Sequence, residues 1–323
     1  MSDAALPIPI RAAARGRAGD LAFRIATAGA AWLVLLLLAG VAVAMAWGGR
    51  EAFATFGPRF LASTEWNVVD GRFGALVPIY GTIATSAIAL VIAVPVSIGI
   101  ALFLTDIAPR WSRGPIGIAI ELLAAIPSII YGMWGLFVFA PFMAIHVEPW
   151  LIDHLGHAPL IGPLFSGPPI GIGLLSAGIV LGIMITPFIA AVARDVFNAV
   201  PQALREAAVS LGATRWEILR RVTLPYTRSA IVGAIFLGLG RALGETMAVT
   251  FVLGNAHELS ASLLLPSNSI AAAIANEFTE ADTDLYRSSL IALAFLLFLV
   301  TFIVLALAKL MLRRIDREQG RTN

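Results

Sequence analysis

The chain of 323 residues has no cysteine, a single lysine and few charged residues of either sign. Without cysteine it can build neither a disulfide framework nor a thiolate metal site. The one lysine, Lys309, is followed by Leu310. A nucleotide-cradling P-loop needs G-x-x-x-x-G-K-[ST], so no such site exists here. There is no H-E-x-x-H motif either, since His257-Glu258 runs on into Leu259-Ser260-Ala261. Charged residues make up 13% of the chain, where soluble domains carry about 25%. The net charge of +2 gives nucleic-acid binding little electrostatic support.

Hydrophobic residues fill the space that charge vacates, at 59% of the chain, with a mean hydropathy of +0.88. Apolar runs fall near 25–47, 77–104, 116–140, 170–193, 227–254 and 288–312. Each is long enough to cross a hydrocarbon core of about 30 Å at about 1.5 Å per residue. The runs predict an all-α integral membrane protein with about six transmembrane helices. The first is too long for the apolar part of a cleaved signal peptide. Residues 1–20 read as a mobile tail, 21–315 as one membrane domain and 316–323 as a second tail.

Arginine sets the expected orientation. With the N-terminus inside, 17 of the 22 basic residues fall in cytoplasmic segments and four outside, with Arg241 in a span. That bias places both termini in the cytoplasm. His146, His154, His157 and His257 then fall in outer loops. This leaves no Ser/His pair within the spans for an intramembrane hydrolase. A metal site among the first three is weaker than the reading of them as wet-loop polar residues, and none is assigned.

Residues 194–226, between the fourth and fifth runs, are unlike an ordinary basic loop. Pro201 suits a helix start, and Ala203 to Leu211 are strong helix formers. Gly212 ends that helix or turns the chain. A second short helix is expected from Trp216 to Val222, closed by Pro225.

Arg241 and Glu245 stand at i and i+4 in the fifth run, a turn apart on one expected helical face. A charge at the bilayer centre costs at least ~2.5 kcal/mol, so both should face protein or water. Two readings stand: a structural ion pair, or an oxyanion site. Arginine suits an oxyanion because its planar fork offers parallel N–H donors. Gly240 and Gly244 allow close helix approach, to a partner or within the bundle. Glu121 begins the third run as a gate, a packing residue or a snorkelling charge. Pro127-Ser128 breaks that run near mid-membrane, where the Ser128 hydroxyl could face the pathway.

These residues carry a resemblance. Glu206-Ala207-Ala208, Gly212 and Leu224-Pro225 are similar to the E-A-A…G…I-x-L-P loop of ABC importer permeases, with Val222 where isoleucine is usual. GLGRALGETMAVTFVLGN at 238–255 resembles the PstC-type permeases of bacterial phosphate importers. Glu65-Trp66-Asn67, the stretch from Glu121 to Gly132, and Ile274 to Phe278 fit the same family. The resemblance covers about 64–312. It implies a type I importer permease architecture in the bacterial inner membrane. It favours the oxyanion reading, with Arg241, Glu245, Ser128 and Thr246 along a phosphate path. It implies ATPase coupling through Glu206, Ala207, Ala208, Gly212, Leu224 and Pro225. The partners it implies are a second, PstA-type permease, an ATPase dimer carrying ATP and Mg, and an extracytoplasmic phosphate-binding protein. The chain itself then needs no cofactor and is not an enzyme. The rivals are a permease for another oxyanion and a stand-alone channel or secondary transporter. An ATPase dock argues against the stand-alone class.

Overall fold

A computed structural model describes residues 10–319, with side chains over 19–313. Among them there are no strands, only isolated bridges at Asn67–Arg72 and Gly254–Ser267. Six helices are long and apolar enough to cross a membrane: Gly19–Gly48, Leu76–Ile107, Ser128–Leu155, Leu174–Asn198, Arg215–Leu243 and Asp284–Arg313. Residues 1–9 and 320–323 of the expected tails lie outside the described residues. Residues 10–20 lie on the first long helix, Ile10–Gly48.

The second and fourth spans form the centre. Gly178 sits where a Cβ would come 2.6 Å from Ile88, so the two backbones approach as closely as small residues allow. Ala89, Ala93, Leu181, Met184, Ile185 and Ile189 fill that seam and are essentially fully buried. The fifth span joins it at Gly238, where a Cβ would strike Ile189 at 2.6 Å. Gly240 and Gly244 meet nothing closer than 3.7 Å, so their spacing has no packing reason inside this chain. The first span stands apart and is exposed along nearly its whole length. Its end is pinned by the sixth span, where Ser288 Oγ donates to the Gly48 carbonyl at 2.9 Å.

Two spans differ from the expected boundaries. The run at 116–140 is two helices, Arg110–Ala124 and one starting at Ser128. Pro127 is the reason: its φ of −57° opens the new helix, and its ring disfavours the helical region for Ile126. The break therefore precedes the third span rather than cutting it near mid-membrane. That span continues to Leu155 and carries His146 and His154, which are not in a loop. They stack on Phe142 and Trp150, four residues back.

The fifth span begins early, at Arg215, and ends early, at Leu243. Pro225 does not close a short helix but lies inside a long one. A proline lacks an N–H and crowds the carbonyl four residues back. For Pro141, Pro149 and Pro225 those carbonyls belong to Phe137, Ile145 and Arg221. All three lie in turns widened to π geometry, Gly135–Phe139, Met143–Val147 and Leu219–Thr223. The wider turn absorbs the ring without ending the helix.

A buried acid holds the hairpin after the third span. Glu148 is fully buried and its Oε2 accepts from the Gly171 amide at 2.8 Å. Gly171 has φ +79°, and a Cβ there would collide with the Ala140 carbonyl.

Candidate functional site

The helix carrying Arg241 stops at Leu243, and a new one starts at Met247. Arg241 and Glu245 are therefore not on one face of one helix. Glu245 lies in the break, and no ion pair joins the two among the described residues. The physical reason is local. Gly244 is a poor helix former, and the Glu245 carboxylate accepts from the Ala248 amide at 3.4 Å, serving the new helix rather than Arg241. The structural ion-pair reading loses its pair.

What surrounds Arg241 is aromatic. Its guanidinium lies 5.7 Å from the centre of the Phe188 ring on the fourth span. Tyr131 of the third span is within electrostatic reach, and its hydroxyl donates to the Leu123 carbonyl at 2.9 Å. Arg241 is exposed in the single chain, whereas Glu245 and Thr246 are half-buried. Thr246 accepts at its carbonyl from Thr250 Oγ1 at 2.8 Å. Ser128 opens the third span. One turn on, a Cβ at Gly132 would strike the Phe251 ring and the Met247 carbonyl. The start of the third span thus lies against the helix that follows the break. The arrangement is a discontinuous helix beside a guanidinium with no ion-pair partner among the described residues, and broken helices of this kind often line sites in membrane proteins.

Glu121 ends the helix before the third span rather than beginning the span. Its carboxylate takes Arg194 Nη2 at 2.7 Å, which ties Arg110–Ala124 to the end of the fourth span. The carboxylate is about half exposed, so the pair adds little stability by itself.

The predicted loop forms two helices around a turn. Gln202–Ser210 begins after Pro201, as expected. It carries Glu206, Ala207 and Ala208. Gly212 has φ +81° and nothing within 4 Å of where a Cβ would sit. Glycine is there for the left-handed backbone, not for room. The second helix starts at Arg215 with Thr214 as cap: Glu217 donates its amide to Thr214 Oγ1, and Glu217 Oε2 takes the Thr214 amide at 2.9 Å. The spacing T-x-x-E could have placed this start from sequence. Val209, Leu211 and Trp216 are exposed, Leu211 at 89%. A cleft of about 330 Å³ lies beside Leu211, lined also by Ala208, Gly212, Glu217 and Arg221. Leu224 packs near the buried Phe197, and Pro225 is at the surface.

On the opposite loops the structure joins two stretches that the sequence kept apart. Trp66 Nε1 and the Tyr286 hydroxyl each donate to Glu277 Oε2 at 2.7 Å. His257 Nε2 lies 2.8 Å from Oε1, and its ring stacks on Trp66 at 4.9 Å. Burial pushes the Glu277 carboxyl up, but hydrogen bonds from His257, Tyr286 and Trp66 outweigh it and hold it below the ordinary glutamate range. Among the described residues no cluster of His, Asp or Glu could hold a metal.

A family profile described as "Binding-protein-dependent transport system inner membrane component" matches residues 93–317. The "Phosphate transport system permease protein PstC" of Xylella fastidiosa (strain 9a5c) is 58% identical over 306 residues, 95% of this chain and 94% of that one. The protein of the same description from Mesorhizobium japonicum is 57% identical over 301 residues, 93% and 92% of the two chains. Among solved structures, an inward-facing MetNI methionine ABC transporter aligns with TM-score 0.52 at 18% identity, covering 75% of this chain and 94% of that one. At that identity the likeness bears on the fold alone. With six membrane-crossing helices, a family match over most of its length and relatives of more than half identity, this chain belongs to the inner membrane components of binding-protein-dependent transport systems.

Proposed function

We propose that the chain is the transmembrane permease subunit of an ATP-driven phosphate importer. It forms half of the translocation path and is moved by a separate ATPase. The relatives' description as phosphate permeases supports the substrate. The observation that carries the coupling is the projection at 202–224, whose apolar residues Val209, Leu211 and Trp216 stand exposed beside a tight turn. On a chain without a P-loop, such a surface is suited to a docking partner.

In this reading both termini and residues 194–226 are cytoplasmic, and ATP and Mg are held by an ATPase dimer. A second, PstA-type permease covers the open side of Arg241. An extracytoplasmic binding protein delivers phosphate to the outer loops. Arg241 binds the anion through its fork, with Ser128 and Thr246 along the path. Glu245 accepts a hydrogen bond from protonated phosphate, which sulfate lacks. Glu206, Ala207, Ala208, Gly212, Leu224 and Pro225 belong to the ATPase contact.

The test is co-purification and uptake. A tagged chain expressed with its neighbours should bring down a P-loop ATPase and a second permease, and the assembly should move phosphate into vesicles only with ATP. A folded chain that retains neither partner in mild detergent, or that transports phosphate alone, would refute the reading.

A further inference from the structure

The docking helix Gln202–Ser210 has no buried residue. Two of its side-chain bonds stay inside it: Gln202 Nε2 donates to Glu206 Oε1, and Ser210 Oγ donates to the Glu206 carbonyl. Arg205 is the side chain that reaches out. Its Nη1 donates to Asp106 Oδ1 at 3.0 Å, and its Nη2 donates to the Phe197 carbonyl at 2.7 Å. Its Nε is buried without a hydrogen-bond partner, and the side chain as a whole is about a quarter exposed, so the guanidinium is partly seated in protein.

The two anchors are well chosen to receive a force. Asp106 lies in the last turn of the second span, and Phe197 in the last turn of the fourth. These are the two spans that pack most closely in the core. Phe197 is fully buried, in a cluster with Ala101, Ala193 and Ile231 that joins the second, fourth and fifth spans. A planar guanidinium bonded at two points resists both sliding and rotation, which a single ammonium contact would not.

We propose that Arg205 is the strut that carries movement of the docking helix into the second and fourth spans, through Asp106 and the Phe197 carbonyl. The inference rests on residues 194–226 being the ATPase dock. Arg205 is a positioning residue: it touches neither phosphate nor nucleotide. Besides it, the helix is joined to the bundle by its backbone link and by its packing on residues 215–223 of the fifth span. Without Arg205, the ATPase would move the helix without moving the second and fourth spans.

The experiment uses the assembled importer in proteoliposomes, with the ATPase, the second permease and the binding protein present. Phosphate uptake and ATP hydrolysis are measured together for Arg205→Gln, Asp106→Asn and the swapped pair Arg205→Asp with Asp106→Arg. Each single variant should retain the ATPase and hydrolyse ATP, while phosphate moved per ATP falls about tenfold. The swapped pair should regain a large part of that ratio, short of the native value because the Phe197 bond is lost. A native ratio in the single variants overturns the strut. So does loss of the ATPase from Arg205→Gln, which would make Arg205 a docking contact. No recovery in the swapped pair overturns it too. If Arg205→Gln does not insert, Asp106→Asn decides the case, since it leaves the docking helix unchanged. Failure of the native chain to hold an ATPase would instead overturn the docking reading itself.

Discussion

Arg241 is the residue on which the proposed substrate path depends. It is not neutralised by Glu245, and the neighbours that the structure gives it are Phe188 and Tyr131. An unpaired guanidinium at the end of a membrane helix has a large incentive to find an anion. Arg241→Lys keeps the charge and loses the fork. Phosphate uptake, normalised to assembled complex, should fall about tenfold or more, equivalent to ~1.4 kcal/mol of lost stabilisation. Native uptake in that variant would remove Arg241 from the site. Gly212 makes a different kind of test, because its Cβ would touch nothing in this chain. Its φ of +81° still costs a non-glycine residue about 1–2 kcal/mol, and asparagine least. Gly212→Asn should therefore insert and assemble nearly as the native chain does, whereas Gly212→Val should assemble poorly with the ATPase. Equal co-purification of the ATPase by the two variants would show that the left-handed turn is not needed for docking. The glycine and both charges were legible in the sequence. The break between the charges was not, because i and i+4 spacing assumes an unbroken helix.

At the scale of elements, proline and glycine decide where the spans begin and how they meet. Pro127 ends a segment that hydropathy alone joins to the next, whereas Pro141, Pro149 and Pro225 pass inside helices through π turns. Composition cannot separate these outcomes, since the same residue breaks one helix and is absorbed by another. The cluster of Trp66, His257, Glu277 and Tyr286 shows the same limit. Trp66 and Glu277 are 211 positions apart in sequence yet share a 2.7 Å hydrogen bond. This cluster should make stability depend on pH. A carboxyl whose folded pKa is depressed adds stability above its unfolded value, and the gain is lost as pH falls through the folded value. Glu277 is such a group. Thermal unfolding in detergent should therefore show stability falling as pH drops below about 4.3, the ordinary glutamate value. Glu277→Gln should lower stability at neutral pH and flatten that decline. An unchanged decline would mean that other carboxyls carry it.

At the scale of the whole molecule, orientation and assembly lend themselves to direct test. The arginine bias predicts residues 194–226 inside and the loops at the opposite ends of the spans outside. Because the native chain has no cysteine, single cysteines report cleanly. Leu160→Cys and Asp282→Cys should react with an impermeant thiol reagent added to sealed cells, and Leu211→Cys should not. All three positions are exposed in the structure, so a silent site cannot be blamed on burial within this chain. Labelling of Leu211→Cys in intact cells would invert the topology. The exposed first span and the open side of Arg241 are surfaces that a partner permease would cover in the proposed assembly.

The sequence by itself determined the class: long apolar runs demand membrane-crossing helices, because lipid offers backbone groups no other partner. It also determined the first helix and the turn of the 202–218 projection, whose Pro201, Gly212 and helix-forming alanines act over a few residues. Tertiary structure alone decided two other things: the pairing of Glu121 with Arg194, and the clamp of Arg205 on Asp106 and Phe197. Each depends on which carbonyl or carboxylate arrives from a distant segment. Arg205 and Asp106 lie 99 positions apart, and only the packing of the second span on the fourth brings them within 3.0 Å.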